Sequence, residues 1–309
     1  MLSRAKNVVF NVRGLMPAVF TPLKDDQTVN CGIIPAYAQY LVNNGIKAVL
    51  VGGSTGEHMS LSVKDRKKVI DAWVDTSRTT GLHVQVQVGG APFPDVIELA
   101  KYCASSGVNS ILTLPELYFR PDSVAELVSY VEMVANAAPN LPVLYYHIPR
   151  MSNVAINMPA FAAAASAQLP NFKGMKFTSS DLIEAAQVVK VLKEDQQIFL
   201  GGEYLLAPGA LLGIKSCIST PINIFPQLVQ GVLDAVERSD VTEANKLQDK
   251  LTVAIDSIAS EGGWVPTMKA AMEFVTGINV GPPSLPKKPL SSEAKKKIEG
   301  KLLNLGYCN

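Results

Sequence analysis

The sequence predicts an α/β fold, a (β/α)8 TIM barrel followed by a C-terminal helical appendage. Two observations carry that prediction. Eight short runs of β-branched and apolar residues alternate with amphipathic stretches of helical period. Gly45, Gly81, Gly107 and Gly213 stand where those helices should stop, because glycine enters the left-handed conformation without a Cβ penalty. A doubly wound sheet would show fewer strands and a dinucleotide glycine fingerprint, so the pattern favours the barrel.

The strands are predicted in order from local composition. Residues 12–20 open the series, followed by Ala-Val-Leu-Val at 48–51 and an alternating Val/Gln run at 83–88. Residues 110–114 and 142–146 come next, the latter ending in Tyr145-Tyr146. The last three are 174–177, 197–200 and 216–219. Helical patterns fall at 33–43, 64–77, 95–105, 123–136, 181–192 and 203–212. Beyond the eighth strand the chain reads as helix at 225–237, 241–259 and 264–276. A proline-rich stretch, 281–286, then leads to a lysine-rich helix at 292–303. The barrel is assigned to 1–235, and 236–309 is read as a helical extension of the same domain, strand-free and short for an independent one.

Composition narrows the function. At 309 residues and 48% hydrophobic content the chain can bury a large core, which excludes disorder. Twenty-eight basic against 27 acidic residues leave a charge of +1, with no basic field for nucleic acid or an anionic membrane. Cys31, Cys103, Cys217 and Cys308 lie far apart without a CxxC pair, so neither a zinc site nor a disulfide framework is indicated. Arg4 and Lys6 precede only Val8-Val9-Phe10, too short for a signal-peptide core, and no later apolar run reaches membrane-spanning length. A soluble, cytoplasmic protein is expected.

In such a barrel, functional side chains project from the C-terminal ends of the strands. Four places stand out there. Gly52-Gly53-Ser54-Thr55-Gly56-Glu57 combines convergent backbone N–H groups with two hydroxyls, suited to a small carboxylate or phosphate. It reads equally as a glycine-rich turn whose hydroxyls cap the next helix. Lys176, ending the sixth strand, is either a nucleophile for a carbonyl or a lysine snorkelling into water. Lys173 has the opposite strand parity and is the weaker candidate. Tyr146, in Tyr145-Tyr146-His147-Ile148-Pro149, could move a proton near Lys176 or simply fill the barrel mouth. Glu203, in Gly201-Gly202-Glu203-Tyr204, could bind polyol hydroxyls or favour a helix N-terminus. Plainer readings suit the remainder: His58, His83 and His147 are isolated from one another, Trp264 begins a helix, and 295–297 is a solvated lysine face.

Taken in chain order, Gly-Gly-Ser-Thr-Gly-Glu, Tyr-His-Ile-Pro and Gly-Met-Lys-Phe-Thr-Ser at successive strand ends form a specific set. With them the sequence resembles the N-acetylneuraminate lyase and dihydrodipicolinate synthase superfamily of class I aldolases. The likeness covers nearly the whole chain, and the closing Gly281-Pro282-Pro283-Ser284-Leu285-Pro286 is similar to the animal lyase branch. The resemblance implies that Lys176 forms a Schiff base with a 2-keto acid and that Tyr146 relays protons. It implies that Ser54 and Thr55 hold the carboxylate and that Thr178 orients a substrate hydroxyl. Tyr118 falls where relatives supply an aromatic near the relay tyrosine, in some cases from a neighbouring subunit. No metal or organic cofactor is implied, and relatives commonly assemble as homotetramers.

Two places speak to the branch. Dihydrodipicolinate synthases normally carry arginine two residues after the proline of the tyrosine motif; here Met151 follows Arg150, which favours the lyase branch. Lyases usually read Gly-x-Asp-Glu after the seventh strand, whereas this chain has Gly201, Glu203 and then Tyr204. A phenol offers one hydroxyl where a carboxylate accepts bidentate bonds, so recognition of the sugar tail is expected to differ. Thr220 matches a serine that contacts the tail in relatives. The expected reaction is cleavage of N-acetylneuraminate to N-acetylmannosamine and pyruvate. The alternatives are an aldolase for another 2-keto-3-deoxy sugar acid or a non-catalytic 2-keto acid binder.

Overall fold

The computed structural model describes residues 8–90 and 92–308; Arg4 and Lys6 lie outside them. The strands are β1 (Leu15–Pro17), β2 (Ala48–Val51), β3 (His83–Gln87), β4 (Ser110–Thr113), β5 (Val143–His147), β6 (Phe172–Phe177), β7 (Gln197–Leu200) and β8 (Cys217–Ser219). They form one eight-stranded sheet in the order β1-β8-β7-β6-β5-β4-β3-β2. A parallel bridge between Ala18 and Leu50, with Val19 N–H donating to Leu50 O at 3.0 Å, joins the two ends of that order. The fold is a (β/α)8 barrel with C-terminal helices.

The helices are α1 (Ile34–Asn43), α2 (Val63–Thr80), α3 (Phe93–Ser106), α4 (Val124–Ala137), α5 (Pro149–Ser152), α6 (Met158–Gln168), α7 (Leu182–Val191) and α8 (Leu206–Leu211), then α9 (Pro226–Glu237), α10 (Val241–Ala259), α11 (Trp264–Thr276) and α12 (Ser292–Asn304). The four glycines predicted to stop helices all take positive φ, between 71° and 96°. Two differences from the sequence reading have physical causes. Strand β1 is shorter than 12–20, because Gly14 turns the chain at φ 81° and Pro17 has no N–H for the ladder. No helix is predicted between β5 and β6, yet α5 and α6 occupy that stretch. The alanine-rich α6 lacks a sharp apolar stripe, so its period is faint, although Asn157 caps it by accepting from Ala160 N–H.

The chain divides into two compact units, residues 8–14 with 83–218 and residues 15–82 with 219–308. In the first, β3 to β7 pair in parallel and are buried almost throughout, as strands covered on both faces must be. Helix α3 buries Val96, Leu99, Ala100 and Cys103, the stripe that its spacing predicts. In the second unit α9 packs on α10, and α12 packs on both α10 and α11. Helix α11 is buried without a break from Val265 to Met272, so it is core rather than surface.

One irregularity places the chemistry. Strand β5 pairs Val143 with Phe172 but Leu144 with Gly174, so Lys173 is an extra residue, a β-bulge. Beyond it Tyr146 pairs with Lys176. An unbulged ladder would have set Met175 there instead. Gly174 permits the bulge: its φ is +123°, and a Cβ would lie 1.8 Å from Gln197 O.

Candidate active site

Lys176 stands near the C-terminal end of β6, only 4% exposed, with its Nζ 4.3 Å from the centroid of the Tyr146 ring. The ring's negative face favours a cation at that distance. Among the described residues Lys176 has no carboxylate within ion-pair distance, whereas Lys173 is paired with Asp195 and holds that carboxyl below the usual carboxylate range. The two lysines differ in their partners: Lys173 is spent on an ion pair, and Lys176 lies over the phenol ring.

Gly201 follows β7 and donates its N–H to Phe177 O at 2.8 Å. A Cβ there would lie 1.8 Å from Thr178 Oγ1 and 3.2 Å from Lys176 Cε, so only glycine leaves room for both side chains. Thr178 N–H donates to His147 O at 2.8 Å, while its buried Oγ1 has no hydrogen-bond partner among the described residues. Glu203, half-buried in the turn Glu203–Leu205, has its carboxyl pushed up to about 7. Burial is the main cause; its own backbone hydrogen bond, then Lys176 and Arg150, pull the other way. Tyr204 is 41% exposed, and Tyr118 stands 83% exposed, edge-on to Phe119 at 5.0 Å.

Behind the strand end, His147 is buried between Phe177 and Glu184, whose Oε2 is 3.8 Å from Nε2. Burial lowers its pKa to about 4, which keeps the ring neutral.

In the second unit the Gly52–Glu57 turn is wound by its own bonds. Glu57 N–H donates to Ser54 O at 3.1 Å, Thr21 Oγ1 to Gly56 O at 2.7 Å, and His58 Nδ1 lies 3.1 Å from Gly53 O. Gly56 is closely packed: a Cβ would lie 3.1 Å from Val19 O and 3.2 Å from the Gly52 backbone, which would have to give by a few tenths of an ångström. Thr55 and Thr220 hydroxyls are 2.7 Å apart, and Trp264 Nε1 donates to Thr220 Oγ1 at 3.1 Å. Asn223 Nδ2 donates to Thr220 O at 2.8 Å, and Tyr37 OH donates to Asn223 Oδ1 at 2.5 Å. Trp264 begins α11, as the sequence predicts, where packing on its helix or lining the barrel mouth is the plain expectation; its indole also orients Thr220. No local motif signals that role, since the partners are distant in the chain.

The structure thus groups Lys176, Tyr146, Thr178, Gly201 and Glu203 in one unit, and Thr55 and Thr220 in the other. The sequence model of the dihydrodipicolinate synthetase family matches residues 11–304. The N-acetylneuraminate lyases of Mus musculus and Homo sapiens are each 32% identical over 96% of this chain and 94% of their own length. The solved structure of Proteus mirabilis N-acetylneuraminate lyase superposes with a TM-score of 0.90 at 30% identity, covering 96% of this chain and 99% of that one. That of Aliivibrio salmonicida N-acetylneuraminate lyase (sialic acid aldolase) does so with a TM-score of 0.90 at 29%, covering 96% and 98%. A family match over nearly the full length, with relatives above 30% identity, establishes that the chain belongs to the dihydrodipicolinate synthetase family.

Proposed function

We propose that the protein is a class I aldolase that cleaves N-acetylneuraminate to N-acetylmannosamine and pyruvate. The observation that carries this reading is a buried lysine, unpaired with any carboxylate among the described residues, held over the Tyr146 ring in a chain akin to N-acetylneuraminate lyases. The Lys176 amine attacks the C2 carbonyl, and loss of water leaves an iminium. As the C4 hydroxyl gives up its proton, the C3–C4 bond breaks and its electron pair moves into the iminium, releasing the aldehyde sugar. The resulting enamine takes a proton at C3, and water hydrolyses the iminium to pyruvate and free Lys176. Tyr146 carries the protons, Thr178 orients the reacting hydroxyl, and Ser54 and Thr55 hold the carboxylate. Gly201, Glu203, Tyr204 and Thr220 serve the sugar side. No metal or organic cofactor takes part in these steps.

The protein is read as a cytoplasmic homotetramer in which Tyr118 of one copy completes the site of a neighbour, with 1–235 as barrel and 236–309 as its extension. The strong exposure of Tyr118 supports a neighbour's need for it. A second reading, an aldolase for a different 2-keto-3-deoxy sugar acid, is favoured by Tyr204, whose part-exposed phenol stands where lyases carry a second acid.

Borohydride reduction in the presence of pyruvate should add a pyruvyl group at Lys176, and Lys176→Ala should abolish both labelling and turnover. Unmodified Lys176 sinks the mechanism, and labelling without product release from any keto acid marks a binder. Release of pyruvate from N-acetylneuraminate should outpace release from shorter 2-keto-3-deoxy acids; the reverse order selects the second reading.

A further inference from the structure

Helix α11 grips the Gly52–Glu57 turn at two points. One is the Trp264–Thr220–Thr55 chain of hydrogen bonds. The other is an ion pair: Lys269 Nζ lies 2.9 Å from Glu57 Oε2, with the two side chains 2% and 0% exposed. Lys269 also donates to Thr21 O at 3.0 Å and to Pro282 O at 2.8 Å. The second carboxylate oxygen of Glu57 accepts Ser284 N–H at 2.8 Å, and Lys287 Nζ lies 3.7 Å from it. The same carboxylate therefore joins the turn, α11 and residues 282–287.

A buried pair of this kind is a costly way to gain stability, because both ions must leave water; apolar replacements often serve as well. Geometry is the better reason for it. Glu57 itself sits at φ 55°, a left-handed conformation that is unfavourable for a residue with a Cβ and is held by the bonds on either side. Ser54 and Thr55 lie within one turn of it, and their hydroxyls can grip a carboxylate together only while the turn keeps its conformation. We propose that Glu57 and Lys269 form a latch through which α11 sets the position of Ser54 and Thr55, making both positioning residues for the substrate carboxylate. The inference rests on the reading that this turn holds that carboxylate.

Borohydride trapping of the full-length protein over a range of pyruvate concentrations tests the latch, with the fraction of Lys176 modified read by mass spectrometry. Glu57→Gln should raise the half-saturating pyruvate concentration by about tenfold or more while saturating pyruvate still gives full modification. A purely structural role would lower the trappable fraction without moving the half-saturation point. Because either single variant leaves a buried charge without its partner, the Glu57→Gln/Lys269→Met pair is the second arm. It should regain thermal stability yet keep the raised half-saturation. Lys287→Met, at a half-exposed position, is the third arm and should raise it roughly twofold to threefold through the weaker, longer contact. An unchanged half-saturation in the folded double variant, or in Lys287→Met if the double variant does not fold, overturns the latch. Absence of Lys176 modification in the unsubstituted protein overturns the aldolase reading and the latch with it.

Discussion

Glu203 stands at the sugar end of the proposed reaction with its carboxyl raised from 4.5 to about 7, mainly by burial. Below that value the side chain is a neutral acid; above it, both oxygens accept hydroxyl donors. The KM for N-acetylneuraminate should therefore fall as pH rises from about 6 to about 8, and Glu203→Gln should flatten that dependence. Stability has the opposite sign. Between 4.5 and about 7 the folded chain keeps a proton that the unfolded chain has lost, so the Glu203 contribution is full below 4.5 and is lost as pH rises through 7. Melting temperatures of the two proteins should diverge across that window, with Glu203→Gln relatively more stable at the alkaline end. A KM profile unaltered by the substitution would remove Glu203 from substrate binding.

Among the elements, β6 shows how one residue sets the register of a site. The bulge at Lys173 brings Lys176 rather than Met175 opposite Tyr146, and Gly174 permits it. Gly174→Ala should cost about 2–4 kcal/mol in denaturant unfolding, since the new Cβ meets a strand carbonyl and the φ is forbidding. Any folded fraction should lose pyruvate trapping at Lys176; full trapping would show that the register survives. Sequence spacing conveys most of this layer. The helix at 241–259 is legible to the residue because cap and apolar period agree, with Asp240 accepting Glu243 N–H, and the helix at 264–276 is bounded by Gly263 and Gly277. Lys176 and Tyr146 are legible as strand ends. The bulge is not, because a single extra residue leaves no periodic trace in a strand buried on both faces. Nor is the Glu57–Lys269 pair, whose partners meet only through the fold, or α6, whose alanines blur the stripe.

At the scale of the whole molecule, the strongest unexplained exposure is aromatic. Tyr118 and Phe119 are each 83% exposed, and Phe119 also lines an open cleft of about 420 Å³ with Arg120, Glu126 and Tyr130. Aromatic rings of this size contribute strongly when buried between molecules. A net charge of +1 opposes such burial little, since copies of the chain do not strongly repel one another. If Tyr118 and Phe119 seat against a neighbour in the proposed tetramer, Tyr118→Ser/Phe119→Ser should shift sedimentation toward smaller species. If the Tyr118 hydroxyl also serves the neighbour's proton relay, Tyr118→Phe should leave sedimentation unchanged while lowering kcat by roughly tenfold. The two variants separate assembly from catalysis, because the first removes the rings and the second removes only an oxygen. A monomeric protein with full kcat would refute both roles and return the pair to the ordinary surface.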